Sequence, residues 1–154
     1  MERFEDIMLD LAWRRYNDVW GDKREIETKA SILLSANGVL LGLVVNAWET
    51  LYLWLAVVSM VLVWLSATCC VVSLKTRKYE ELGILESWEA FKKYFDDTEK
   101  LKLTLFSTLG LAESKNRPLV SNAAKLYSRA NMLFLAAMLF VIMSFLANFL
   151  VKIF

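Results

Sequence analysis

At 154 residues the chain suits one structural unit and is too short for two independent cores. It is 57% apolar, with a mean hydropathy of +0.41 and a formal net charge of +1, so its charge gives no reason to expect a nucleic-acid partner. Histidine is absent, which removes the commonest acid–base residue and the commonest metal ligand.

Residues 1–29 read as a cytoplasmic helix. Phe4, Ile7, Met8, Leu11 and Ala12 follow the i, i+3, i+4 spacing of a single apolar face. That face would lie on the inner leaflet or against other cytoplasmic helices. Trp20, Gly21 and Asp22 predict a bend before the helix resumes. The segment holds six basic and eight acidic residues and no small-residue cleavage pattern. It is therefore not expected to be a cleaved signal peptide, and the first apolar run is expected to stay as an anchor.

Three runs carry no charged residue: 30–48, 51–74 and 130–151, of 19, 24 and 22 residues. Each is close to the ~20 residues that cross ~30 Å of hydrocarbon as a helix. Burial in a soluble bundle is the competing explanation. It fails on the middle run, which is apolar on every side for about six turns. A chain this short cannot bury three such helices all round.

Residues 75–129 separate the second and third runs. At 55 residues this segment is too long for a passive turn, where about 2–8 is usual. Ile84, Leu85, Trp88, Phe91 and Phe95 predict an amphipathic helix within it. After the acidic Asp96, Asp97 and Glu99, the stretch Leu101–Leu111 alternates like a strand at Leu101, Leu103 and Leu105. Helix is preferred, because a lone strand would have no partner. Asn116, Arg117 and Pro118 predict a break, with Ser121 as N-cap of a last helix running into the third span. The expected fold is an all-α membrane protein: three transmembrane helices, a cytoplasmic N-terminal helix, and a helical cytoplasmic insert between the second and third spans.

Six basic residues precede the first span, eleven lie in the insert, and only Lys152 follows the third. Under the positive-inside rule this predicts a cytoplasmic N-terminus and an external C-terminus. Trp48, Tyr52 and Trp54 then fall at the outer interface, where amphipathic rings prefer to sit.

Small and polar residues recur within the spans. The first carries Ser31, Ser35, Gly38 and Gly42 on one face, with Asn46 at its outer end and Asn37 about a quarter turn away. Gly38 and Gly42 form a GxxxG pair of the kind that lets membrane helices approach closely. The second span has Ser59, Ser66 and Ser73 at seven-residue intervals, and the third has Ala130, Ala137 and Ser144, then Asn148. Two readings stay open: packing inside one subunit, or a polar stripe lining a pore between several copies. Three spans are too few to enclose an aqueous path, so a pore implies a homo-oligomer, with a tetramer as the expected form. Asn37, Asn46 and Asn148 each call for a partner, a water or a lumen.

Chemistry-bearing motifs are missing. There is no GxSxG, P-loop or GxGxxG, and the adjacent Cys69 and Cys70 have no zinc spacing. The pairs Glu80–Glu81 and Asp96–Asp97 read as solvated surface. The chain is expected to be non-enzymatic and to bind no metal.

The order of these features resembles the membrane effectors of Pycsar anti-phage defence, and less closely the SLATT-type effectors of related nucleotide-signalling systems. The likeness rests on two places. The first span is entered through Glu27, Thr28, Lys29 and Ala30 and continues from Ser31 to the mid-span Asn37 and Gly38. The third is entered through Lys125, Leu126, Tyr127, Ser128, Arg129 and Ala130. Glu27 stands where the family more often has Asp. The resemblance implies a protein of the prokaryotic inner membrane, silent until a partner cyclase makes cUMP or cCMP during infection, which then impairs the membrane. A cyclic nucleotide carries a phosphate, so its site would offer Lys or Arg. Lys29, Arg77, Lys78, Lys125 and Arg129, where the spans leave the membrane, are the candidates, although positive-inside anchoring accounts for the same residues. The alternative function is a constitutive small homo-oligomeric channel or structural membrane subunit without a nucleotide trigger.

Overall fold

The computed structural model describes residues 4–75, 79, 92–93 and 97–153. The described residues form helix α1 (Phe4–Asn46), a 3-10 turn (Trp48–Thr50), helix α2 (Leu53–Leu74) and helix α3 (Thr98–Ile153). All three helices are long and apolar enough to cross a membrane. A helix satisfies its backbone hydrogen bonds internally, as hydrocarbon demands. The chain divides into two compact units: Met1–Glu25 with Thr76–Ser121, and Ile26–Lys75 with Asn122–Phe154.

The second unit is a three-helix bundle with a seven-residue period. On α1 the buried residues include Ala30, Asn37 and Val44; on α2, Ala56, Val63 and Cys70 alternate with Ser59, Ser66 and Ser73; on α3, Ala123, Ala130, Ala137 and Ser144 are buried. A repeat of seven keeps one seam facing its neighbours along a left-handed supercoil. The serines set the register between α2 and α3. Ser73 Oγ donates to the Ala123 carbonyl at 3.1 Å, and Ser66 Oγ to the Ala130 carbonyl at 2.8 Å. Farther along, Ser144 Oγ donates to the Tyr52 carbonyl at 3.1 Å. Each seven-residue step down α2 meets a seven-residue step up α3, as antiparallel helices require. Interhelical bonds of this kind contribute about 0.6 kcal/mol each in a bilayer, so close packing of small side chains carries the rest.

The turn joining α1 to α2 is tied to α3. Asn148 Nδ2 donates to the Thr50 carbonyl at 2.6 Å, and Thr50 Oγ1 donates to Ala47 at 2.8 Å. α1 ends at Asn46, two residues before the predicted limit, and Trp48 lies in the 3-10 turn. Trp48, Tyr52 and Trp54 are exposed around this end of the bundle.

In the first unit, Ala12 and Tyr16 of α1 pack with Leu109 and Ala112 of α3, supported by Leu9, Trp20 and Phe106. This face is rotated from the predicted stripe, since Ile7 and Leu11 are exposed. The aromatic residues at Tyr16 and Trp20 offer more area to bury than the aliphatic stripe, and they set the contact side. Asp6 pairs with Lys102. Asp97 caps α3: its Oδ1 accepts the Lys100 amide at 3.1 Å, and its Oδ2 lies 2.8 Å from Lys100 Nζ.

Two predicted breaks do not occur. α1 is helical through Trp20, Gly21 and Asp22. A single glycine costs a helix only about 1 kcal/mol, and packing of Tyr16 and Trp20 exceeds that. α3 likewise contains Asn116, Arg117, Pro118 and Ser121, so Ser121 is no N-cap. A proline inside a helix costs ~3 kcal/mol. Around Pro118 the buried Asn116 and Val120 hold the chain in place, and Arg117 pairs with Glu113 at 2.8 Å. The stretch Leu101–Leu111 is helical, as expected. The predicted stripe Ile84, Leu85, Trp88, Phe91 and Phe95, and the pair Glu80–Glu81, lie outside the described residues.

Candidate functional site

Of the five basic candidates, Lys29, Lys125 and Arg129 belong to the second unit, and all three are exposed. Lys29 precedes Ala30 and Arg129 precedes Ala130, both fully buried alanines. Leu33, Cys70 and Ala130 form one cluster with Tyr127 against it. Lys29 and Arg129 therefore stand at the same end of the bundle, with Lys125 one turn before Arg129. Arg77 and Lys78 lie outside the described residues.

The α1 stripe divides in two. Asn37 is buried, and its Nδ2 donates to the Leu33 carbonyl at 2.9 Å and to Ser66 Oγ at 3.0 Å. Its Oδ1 is also buried and accepts nothing. Ser31, Ser35, Gly38, Gly42 and Asn46 are exposed. A Cβ built on Gly38 or Gly42 would meet nothing within 4 Å, so neither glycine is required by packing inside the subunit. The Ser35 hydroxyl turns back to the Ser31 carbonyl at 3.1 Å. The buried serines of α2, Ser144 and Asn148 thus bond inside one subunit, while the Ser31–Gly42 face stays open.

Beside that face lies a cavity of about 380 Å³ between α1 and α2, which Asn37, Gly38 and Trp64 help to line. A second, of about 340 Å³, lies in the first unit between α1 and α3. It is lined by Asp6, Leu9, Asp10, Trp13, Leu105 and Leu109. Both carboxylates are committed, Asp6 to Lys102 and Asp10 to Arg14 at 2.8 Å.

The sequence reading missed a cationic–aromatic cluster in the first unit. Lys23 Nζ sits 4.4 Å from the Trp20 ring centroid and 4.1 Å from that of Tyr79. The two rings are 5.8 Å apart, and Tyr16 meets Trp20 edge-on at 6.1 Å. An ammonium over an aromatic face gains ~0.5–1 kcal/mol where exposed. Trp20 Nε1 is buried and lacks an acceptor. The spacing of Trp13, Tyr16, Trp20 and Lys23 along one helix face could have flagged this cluster. Nothing local pointed to Tyr79.

Among the described residues, no group of three or more His, Cys, Asp or Glu could hold a metal ion. No family model, no curated protein and no solved structure matches the chain.

Proposed function

We propose that this protein is a homo-oligomeric membrane effector that makes the prokaryotic inner membrane leak in response to a cyclic nucleotide, as the resemblance to Pycsar effectors implies. One observation carries the oligomeric part. The face of α1 that bears Ser31, Ser35, Gly38 and Gly42 is open, and a Cβ added at either glycine would meet nothing within 4 Å. In a bilayer, helices have no hydrophobic drive toward one another, and small residues mark where close approach happens. Three charge-free spans fit a passive leak better than a proton pump or a voltage sensor, which need charge within the membrane.

The trigger rests on the resemblance and on cations suited to a phosphate. Lys29, Lys125 and Arg129 form an exposed basic rim at one end of the bundle, and Lys23 with Trp20 and Tyr79 offers aromatic faces beside an ammonium. Either group suits a planar anionic ligand.

The test is dye and ion release from proteoliposomes containing the purified protein, with and without cUMP or cCMP. Release that needs the nucleotide is expected. Release regardless of nucleotide would replace the reading with the constitutive channel, and no release under either condition would overturn both.

A further inference from the structure

The bonds and contacts between the helices fix which residues share a level in the second unit. Ser73 with Ala123, Ser66 with Ala130, and Tyr52 with Ser144 set α2 against α3. Asn37 bonded to Ser66, and Leu33 packed with Cys70, set α1 against α2. On this register Lys29 of α1 and Lys75, directly after α2, mark one level at the basic end. Arg129 adjoins Ala130, so it lies beside the level of Asn37 and Ser66. At 1.5 Å per residue it stands about 10–12 Å nearer the middle of the bundle than Lys29 and Lys75, and Lys125 stands about 6 Å nearer than Lys75.

This stagger sets two demands on the same shell of bilayer. Within it α1 and α2 expose Ile32, Val71 and Val72, which call for hydrocarbon. At the same levels α3 exposes Lys125, Ser128 and Arg129. From Ala130, tied to Ser66, to Ser144, tied to Tyr52, α3 rises only about 21 Å, against a hydrocarbon core of about 30 Å. Its remaining apolar length lies at the other end, where Phe149, Leu150, Val151 and Ile153 are exposed past Asn148 and the turn to which Asn148 is bonded. Neither cation has an anion of its own: Lys125 and Arg129 make no hydrogen bond or ion pair among the described residues, and the sequence has no Asp or Glu after Glu113.

We infer that Lys125 and Arg129 hold the phosphate of a lipid headgroup drawn below the level of Lys29 and Lys75, so that this leaflet is thinned beside α3. The two cations lie one turn apart on one face of the helix. Helical side chains lean toward the N-terminus, which for α3 is the basic end, so both can reach toward the headgroups. Reach recovers only part of the depth of Arg129. A bilayer accommodates the rest by local thinning or a water defect, and both weaken it as a barrier. The guanidinium fork matches phosphate oxygens, and the adjacent ammonium adds a second charge-assisted bond. The inference goes beyond the nucleotide reading and depends on neither the trigger nor the oligomer. A nucleotide phosphate arriving at Arg129 would have to displace the lipid's.

The experiment uses the full chain in phosphatidylglycerol liposomes, in a background carrying Cys69→Ala and Cys70→Ala. A nitroxide is attached through Ser128→Cys on α3, or through Thr68→Cys, which is exposed at the same level on α2. Phosphorus NMR then reads how strongly each label relaxes the lipid phosphates. The label at position 128 should broaden the lipid line several-fold more than the label at position 68. Lys125→Gln combined with Arg129→Gln should remove that difference, and Arg129→Lys should keep most of it. Inorganic phosphate, added at constant ionic strength, should leave the broadening unchanged. Equal broadening from the two positions in helical, inserted protein would overturn the proposal without recourse to the charge variants. A difference that survives the loss of both charges would overturn it too. Broadening abolished by inorganic phosphate would reassign the pair to a free anion.

Discussion

Asn37 and Ser66 join all three helices of the bundle through one hydroxyl: Asn37 Nδ2 donates to Ser66 Oγ at 3.0 Å, and Ser66 passes its own proton to the Ala130 carbonyl at 2.8 Å. Removing that hydroxyl should therefore cost more than an isolated serine. Ser66→Ala breaks both interhelical bonds and leaves a small void. The expected loss is about 1–2 kcal/mol, at the upper end of membrane hydrogen-bond effects. Ser59→Ala should cost less, because the Ser59 hydroxyl returns to Ala56 on its own helix at 2.7 Å. Unfolding of both variants in mixed micelles by SDS titration gives the comparison. Equal losses would mean that the three-helix bond contributes nothing beyond volume.

Much of this bundle was legible in the sequence because hydrocarbon imposes one rule on every residue of a span. Runs without charge marked the helices, and Ser59, Ser66 and Ser73 marked the seam of α2 by spacing alone. The matching seam on α1 was not read, because Ala30, Asn37 and Val44 share burial and no chemical class. The partner of Asn37 could not be read either, since it lies on another helix. Gly21 and Pro118 misled for a different reason. They punctuate a chain locally, whereas tertiary packing decides whether a helix continues past them. Tyr79 lies far from Trp20 and Lys23 in the chain, and only folding reveals that they meet.

Gly42→Leu separates folding from assembly. Position 42 is exposed and a Cβ there would meet nothing within 4 Å, so a leucine there begins in open space and also favours the helix. Subunit stability should be unchanged or slightly raised, while native mass spectrometry should show a shift toward smaller assemblies. An unchanged assembly for both Gly42→Leu and Gly38→Leu would remove the GxxxG face from the interface.

The orientation expected from charge can be measured at two exposed sites. In a background carrying Cys69→Ala and Cys70→Ala, a cysteine replacing Glu49 in the 3-10 turn should react with an impermeant maleimide added to intact cells. One replacing Lys100 at the start of α3 should react only after permeabilisation. Both positions are exposed, so reactivity reports the side of the membrane and not burial. The opposite labelling would reverse the topology.

Asp97 gives a pH-dependent helix start. The Lys100 side chain, and then the Lys100 amide, donate to its carboxylate and hold it below the ordinary aspartate value. A depressed folded value means that the cap's contribution is fully present above the unfolded pKa of about 3.9 and is lost as pH falls through the folded value. Hydrogen exchange of the first amides of α3 should match at pH 7 and pH 5 after correction for intrinsic rates, and protection should fall below pH 4. Asp97→Asn keeps an acceptor and loses the charge, so its protection should no longer change across the acid range. An acid-induced loss of the same size in Asp97→Asn would assign the effect to other carboxylates.

Arg129 tests whether the basic rim at the end of the bundle takes part in activation. Its side chain is exposed, and the next residue, Ala130, is fully buried and accepts the Ser66 proton. A phosphate drawn to Arg129 would pull beside the fully buried Ala130, next to the Asn37–Ser66 bond. A ligand shifts an equilibrium between closed and open forms only if it binds them unequally, and a cation adjoining a packed seam meets that condition when the seam moves. Because the Arg129 guanidinium makes no hydrogen bond or ion pair among the described residues, Arg129→Ala should insert, fold and assemble as the wild type does. Its toxicity in cells and its nucleotide-dependent leak should nonetheless be lost. Arg129→Lys should retain part of both, since the charge remains while the planar two-pronged donor is gone. Arg117→Ala is the control: Arg117 is exposed too, but it pairs with Glu113 and belongs to the first unit. If Arg129→Ala leaks like the wild type at equal expression, or if Arg117→Ala loses activity to the same extent, the effect does not pass through the entry of α3.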